Sequence, residues 1–323
     1  MEYRKLQAIG GGTLLVSLPK RWIVKNHLSR GDTVAIEESR SGPLLVYPKD
    51  VTSLEETSFH TVRATGQDPQ AVVRDVTAAY LLGYNVINVV GDRAQLSRVK
   101  RYLRESVHGL LGLETVAEEQ SSLTLQFILD LNTIHPEKLY RRMNVLARSM
   151  YVDCLEAASE GDITVLEDVL RRDEEINRLF FLMVRLLRSA LTDARIASKL
   201  GLSSVQCLDY RLASHHVELL GDHSFALASI LKGLPPFPER VAAKARLVSE
   251  NLSSLHDMAN AYFLGSKEMD YSSFLNRARD VESLISSLRS EMGSSAVADR
   301  LEDIRRLIVD IGDLAEILYP YVR

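Results

Sequence analysis

The sequence predicts a multidomain α+β protein: a small β-rich unit, a small α/β sandwich and a six-helix bundle made of two three-helix repeats. Three observations carry this reading. Short apolar alternation, interrupted by Gly, Pro and Ser, fills the first fifty residues; strand-like and helix-like segments alternate from Ser58 to Leu131; and from His135 onward apolar residues recur at helical spacing.

In the first unit, placed at residues 1–52, "YRKLQAI" and "TLLVSL" read as strands joined by the glycine cluster Gly10 to Gly12. A phosphate cradle would need those glycines after a buried strand and opening a helix. Here they join two strands, so they supply the backbone freedom of a turn. Pro19 suits the first turn of a short helix, "PKRWIVKNHL", and Gly31-Asp32 reads as the turn before "DTVAIEES". "LLVYP" completes the unit after a "SRSG" turn. Trp22, followed by Ile23 and Val24, reads as a core anchor and not as a stacking platform.

The second unit, 57–133, runs strand ("SFHTVRAT"), helix ("DPQAVVRDVTAAYLLGY"), strand ("NVINVVG"), helix ("DRAQLSRVKRYLRESVHGLLG") and hairpin ("LETVAEEQSSLTLQFIL"). Asp68, with Pro69 at the first helical position, and Asp92 mark helix starts. Gly83 and Gly112 read as helix stops, not as ligand glycines. No motif with chemistry sits on this unit, which is expected to connect the other two.

The third unit, 136–323, divides at Pro235, Pro236 and Pro238 into halves of about 136–233 and 238–323. Each half offers three long amphipathic helices that bury their apolar stripes together. The halves read as copies. An apolar-Gly-Asp step recurs at Leu220-Gly221-Asp222 and Ile311-Gly312-Asp313, and the second helices carry acidic knots around Asp173 and Asp280.

Composition narrows the function classes. The chain has 323 residues, 46% of them hydrophobic and 25% charged, enough to fill real cores and too apolar for a largely disordered chain. Cys154 and Cys207 are the only cysteines and lie far apart, which argues against a disulfide framework or a thiolate metal site and fits a reducing cytoplasm. The amino end lacks an apolar signal core, and the most apolar run, "LFFLMVRLL", is broken by Arg185, so no membrane insertion is expected. Through Gly31, six cations (Arg4, Lys5, Lys20, Arg21, Lys25, Arg30) face Glu2 alone, a balance of +5. With the whole chain at −4, the remainder carries −9. A basic arm on an acidic body points to a polyanionic partner for the first unit, or else to a solvated basic face without one.

Residues four apart share a helix face, so Glu218 and Asp222 project together. Packing their helix against the one bearing Asp173 and Asn177 would converge several oxygens. Such a set suits hard cations, Mg²⁺, Mn²⁺ or ferrous iron, and His215, on the same face as Glu218, would extend the choice to Zn²⁺; His216 and His223 are close in sequence. The competing reading has these acids solvated or paired with Arg172, Arg178 and Arg211. No nucleophile, base and orienter come together, so no enzyme is expected.

"DEEIN" at 173–177 with "ELLGDHSFAL" at 218–227 resembles the PhoU family, and the resemblance extends from Pro136 to the end. It implies a two-repeat helical bundle linked to control of phosphate uptake, with metal clusters in some members. Carried over by position, it implies Glu218 and Asp222 as the best-matching metal ligands and Asp173 with Asn177 as a weaker pair. The second copy departs from the pattern, with Val309 and Leu284 at ligand positions, and retains Asp280 and Asp313 with Asp310 and Glu316 nearby.

The stretch "RKLQAIGGGTLLVSLPKRWIVKNHLSRGDTVAIEE" resembles a SpoVT/AbrB-type module, with landmarks at Leu18-Pro19-Lys20 and Gly31-Asp32. The resemblance implies a swapped-hairpin β dimer that binds double-stranded DNA. A fifty-residue β unit also has a physical motive to pair, since alone it buries little core. Arg4, Lys5, Lys20, Arg21 and Lys25 are the residues expected to meet phosphates, with Arg4 reading base edges. Together these features predict a cytoplasmic, homodimeric, phosphate-responsive transcription regulator. The alternative is an adaptor that binds a phosphate transporter ATPase or a signalling kinase and uses its basic module only to pair. A third reading, a metal-dependent hydrolase, would require phosphate release that disappears in Asp222→Ala.

Overall fold

The computed structural model describes residues 2–10, 12–38, 44–48, 58–266, 268, 270–292 and 295–318. Gly11 of the glycine cluster, the "SRSG" turn, the expected unit boundaries at 52 and 57, and the closing "YPYVR" lie outside the described residues. The protein is a mixed α+β chain that separates into two compact units, 1–57 and 58–323.

In the first unit β1 (Gln7–Ile9) pairs antiparallel with β2 (Thr13–Leu15), with Gln7 opposite Leu15 and Ile9 opposite Thr13. Gly12 turns the chain with φ of +96°, a conformation that a side chain would disfavour. The six-residue helix α1 (Lys20–Lys25) begins one residue after Pro19. Beyond it the Ser29 amide donates to the Asp32 carboxylate at 2.6 Å, closing the Gly31-Asp32 turn before β3 (Val34–Glu38), which pairs antiparallel with β4 (Leu44–Pro48). None of the residues whose burial is described in this unit is buried. Leu6, Ile9, Leu14, Val16, Ile36 and Leu44 are all exposed, and Trp22, expected as a core anchor, is half-buried. Two-stranded ribbons of this kind are marginal in water by themselves.

The second unit opens with β5 (Phe59–Arg63), α2 (Pro69–Leu81), β6 (Val86–Val90), α3 (Arg93–Val107), β7 (Leu113–Glu118) and β8 (Ser122–Phe127). The sheet order is β5-β6-β8-β7, with β5 and β6 parallel across the α2 crossover and the rest antiparallel. Period-two alternation puts Ile87 opposite Leu125 and Val89 opposite Leu123 on the buried face. Val72, Val76 and Tyr80 of α2 and Leu96, Val99 and Leu103 of α3 are buried with them. Asp92 caps α3, its carboxylate accepting from the Gln95 amide, whereas Asp68 makes no side-chain cap. Gly83, with φ of +92°, stops α2 as expected. Gly112 does not stop a helix: α3 ends at Val107, and Gly112 turns the chain into β7.

Helices α4 (Pro136–Glu160), α5 (Ile163–Thr192) and α7 (Ser204–Leu231) pack as one set, and α8 (Glu239–Phe263), α9 (Tyr271–Met292) and α10 (Ser295–Leu318) as another. A short helix that periodicity did not single out, α6 (Ala194–Leu200), fills the α5–α7 connection. The first helices of the two sets, α4 and α8, touch, as do the third helices, α7 and α10, so each half meets its counterpart through equivalent members. Local signals set the boundaries: Asp162 accepts from the amides of Thr164 and Val165, and Ser203 with Gln206 forms a capping box. Inside the α4–α8 seam His256 is fully buried, one ring nitrogen 2.9 Å from the Asn144 side-chain oxygen and the other 3.2 Å from the Tyr151 hydroxyl. Burial pushes its pKa down to about 3, so the ring is neutral.

One continuous apolar core runs from the α/β layer through the bundle. At their junction Arg185 of α5 is completely buried. Its guanidinium donates to the carbonyls of Tyr80, Tyr84 and Gly83 at the end of α2 and to the Asn85 side chain, at 2.6 to 3.3 Å. No helix among the described residues is long and apolar enough to cross a membrane.

Candidate functional site

The carboxylates singled out in the first repeat face one another across the α5–α7 contact. Gly221 makes this approach possible: a Cβ there would stand 3.0 Å from Ile176 Cδ1 and 3.5 Å from Asp173 Oδ1. Asn177 donates to Asp173 Oδ2 at 3.0 Å, while Asp173 Oδ1 is buried with no hydrogen-bond partner. Burial, followed by the nearby charges of Asp222 and Glu218, pushes the Asp173 carboxyl up to about 6. Glu218 is also raised, by burial and by Asp222, against the opposing effect of His215, whose Nδ1 lies 3.2 Å from its Oε2. Asp222 is exposed.

Of the arginines expected to neutralise this group, Arg211 acts on it through its charge, which opposes the rise of Glu218, without a hydrogen bond to it. Arg172 pairs with Asp153 and Asp168, Arg211 lies over the Phe180 ring at 4.8 Å, and Arg178 makes no ion pair among the described residues. Like charges are therefore concentrated here, and among the described residues no arginine or lysine is hydrogen-bonded to them. The three histidines disperse. His215 turns to Glu218 on its own helix, the charge of Asp310 acts on His216, and His223 Nδ1 lies 3.0 Å from the Arg300 guanidinium and 3.6 Å from Asp303. Among the described residues no group of three or more His, Cys, Asp or Glu side chains is gathered closely enough to hold a metal ion. As placed, Asp173, Glu218 and Asp222 are a cluster of carboxylates, with the neutral Asn177 amide hydrogen-bonded to one of them.

The second repeat shows a different register from the one expected. Gly221 packs on Ile176 in the first half; Gly312 packs on Phe274 in the second, where a Cβ would overlap the ring. Counting from these contacts, the counterpart of Asp173 is Tyr271, not Asp280. Asp280 is exposed and lies nine residues along α9 from Tyr271, roughly 13 Å of helix rise. The Tyr271 hydroxyl donates to Asp313 Oδ1 at 2.8 Å, so the acid equivalent to Asp222 is satisfied by a phenol. Asp310 is exposed on α10. The sequence signal for Tyr271 was present: the Gly-Asp step fixes α10, and the residue filling the space at Gly312 must be large. The acidic knot at Asp280 belongs to a later stretch of α9.

At the other end of the chain Arg4, Lys5, Lys20, Arg21 and Lys25 are all exposed. Arg4 forms a surface ion pair with Glu2 at 2.7 Å and reaches Ser17 Oγ at 3.5 Å. The other four form no ion pair among the described residues.

Residues 140–231 match the family model of the PhoU domain. The matched segment runs from α4 to the end of α7, so it contains the whole carboxylate cluster of the first repeat. Comparison with curated proteins and with solved structures gave no match.

Proposed function

We propose that the protein is a phosphate-responsive regulator of phosphate homeostasis in which the helical bundle senses or transmits phosphate status and the N-terminal unit, paired with a second copy, holds double-stranded DNA. The match of residues 140–231 to the PhoU domain carries the phosphate half of this reading. The DNA half is supported by the five exposed cations of a unit that buries none of its described side chains, and that therefore gains most by pairing. Two copies double the positive patch. Phosphate contacts then supply affinity, and an arginine in the major groove supplies base discrimination.

The deciding experiment is retention of the full chain on duplex DNA as a function of salt. Affinity should fall steeply with salt, and Lys20→Ala with Arg21→Ala should reduce the slope by about 2 per unit that loses both contacts. Identical, salt-insensitive retention by both proteins removes the DNA claim and leaves the adaptor of a transporter ATPase or signalling kinase. A divalent cation (Fe, Zn, Mg or Mn) belongs to this reading only if Asp173, Glu218 and Asp222 draw together around it. Elemental analysis of the purified chain tests that, and a metal content near zero removes it.

A further inference from the structure

A cavity of about 300 Å³ opens where the α/β layer meets the bundle, between Leu111 on one side and Arg142 of α4 with Arg171, Glu174, Glu175 and Arg178 of α5 on the other. Three guanidiniums around one hollow repel unless negative charge lies among them. Two are answered within the protein: Arg142 pairs with Glu175 at 2.5 Å and Arg171 with Asp168 at 3.2 Å. Arg178 is not. It has no ion pair among the described residues, and its Nε is buried without a hydrogen-bond partner.

Arg185, two helical turns further along the same face of α5, also has a buried Nε without a partner, but four oxygens accept from its two terminal nitrogens, and in this the two arginines differ. Around Arg178 no acceptor among the described residues takes the terminal nitrogens, although the residue lines the cavity. A planar fork of donors matches the paired oxygens of a tetrahedral anion.

We infer that this cavity is a binding site for a small tetrahedral oxyanion, inorganic phosphate, held by Arg178 with Arg142 and Arg171. The volume lies at the lower end of small-molecule pockets, which suits a hydrated ion and not a polymer. Glu174, which forms no ion pair among the described residues, gives the site a means of choosing phosphate over sulfate. Monohydrogen phosphate carries an O–H that a carboxylate accepts, whereas sulfate at neutral pH brings only lone pairs against it. The site also has a route to the α/β layer: the Leu111 carbonyl accepts from the Tyr80 hydroxyl at 2.9 Å, and the Tyr80 carbonyl accepts from Arg185. This inference deepens the regulatory reading and rests on it for its meaning, since it names free phosphate as the effector.

The test is equilibrium dialysis of the full chain with labelled inorganic phosphate, with sulfate, ATP and a phosphoserine peptide as competitors. Expected are saturable phosphate binding, a loss of about tenfold or more in Arg178→Gln and in Arg142→Gln at unchanged thermal midpoint, and stronger competition by sulfate in Glu174→Gln. Absence of saturable binding, or wild-type affinity in both arginine variants, overturns the site. ATP or the phosphopeptide binding more tightly than phosphate also overturns it, by assigning the arginines to a phosphoryl group on a larger molecule. DNA retention is measured separately: phosphate binding without DNA retention leaves the site standing and removes the DNA-binding half of the regulatory reading, and the converse removes the site alone.

Discussion

The guanidinium carbon of Arg185, on α5, lies 3.8 Å from the ring centroid of Phe127, on β8. The same group is 5.0 Å from the ring of Tyr80 and has no carboxylate partner among the described residues; its charge is met by carbonyl dipoles at the end of α2 and by two aromatic faces. Burial lowers its pKa to about 10, which still leaves it charged at neutral pH. The α/β layer is thus tied to the bundle by one buried cation.

Replacing Arg185 with Met keeps the unbranched stem of the side chain, removes the guanidinium and strands its acceptors. The expected cost is about 2–4 kcal/mol in urea unfolding, with faster amide exchange concentrated in α2 and β5. Arg185→Lys recovers only part, because an ammonium cannot reproduce the forked donors.

His256 makes stability depend on acid. The ring is neutral when folded, with its pKa pushed down to about 3, and takes up a proton near 6.5 when unfolded. Its contribution is therefore complete above pH 6.5 and lost as the pH falls toward 3, at a slope of about 1.4 kcal/mol per pH unit. His256→Gln is expected to lower stability at pH 7 and to flatten this acid limb in a series of denaturation curves.

Asp173 acts with the opposite sign. Its carboxyl ionises at about 6 when folded and in the ordinary carboxylate range when unfolded, so stability is lost as the pH rises through 6. Because the group is half-exposed, solvent screening reduces the effect to on the order of 1 kcal/mol. Asp173→Asn should stabilise the chain by that amount at pH 8 and leave it unchanged at pH 4, read from the same curves.

Gly312→Ala is expected to cost about 1–3 kcal/mol, since its methyl group would overlap the buried Phe274 ring. Phe274→Leu in the same chain should recover part of the loss, a coupling that a double-mutant cycle measures. Gly221→Ala should cost less, because it meets the flexible end of Ile176.

Strand and helix placement was legible because it depends on local periodicity. The α/β alternation from β5 to β8 and the six long helices fall where apolar spacing put them, and Asp92 and the capping box at Ser203 mark their starts through contacts within a few residues. Features set by distant packing were less legible. Arg185 is visible in the sequence as a charge interrupting "LFFLMVRLL", which speaks against a membrane span and is silent on its partners. Its partners lie about a hundred residues earlier, and no local pattern announces them. Likewise spacing alone puts Glu218 and Asp222 on one helix face, yet which residue faces Asp313 depends on how deeply α9 sits against α10. The large ring of Phe274 set that register, and the acidic run at Asp280 did not.

Asp173 and Arg185 ride on one unbroken helix of 30 residues, twelve positions or about 18 Å apart. An α-helix hardly shortens along its axis, so it works between them as a push-rod. At Asp173 it passes among repelling carboxylates, and at Arg185 it is held to the carbonyls at the end of α2. Relief of the repulsion around Asp173, by a proton or an arriving cation, would act along this rod on the end of α2 that Arg185 holds.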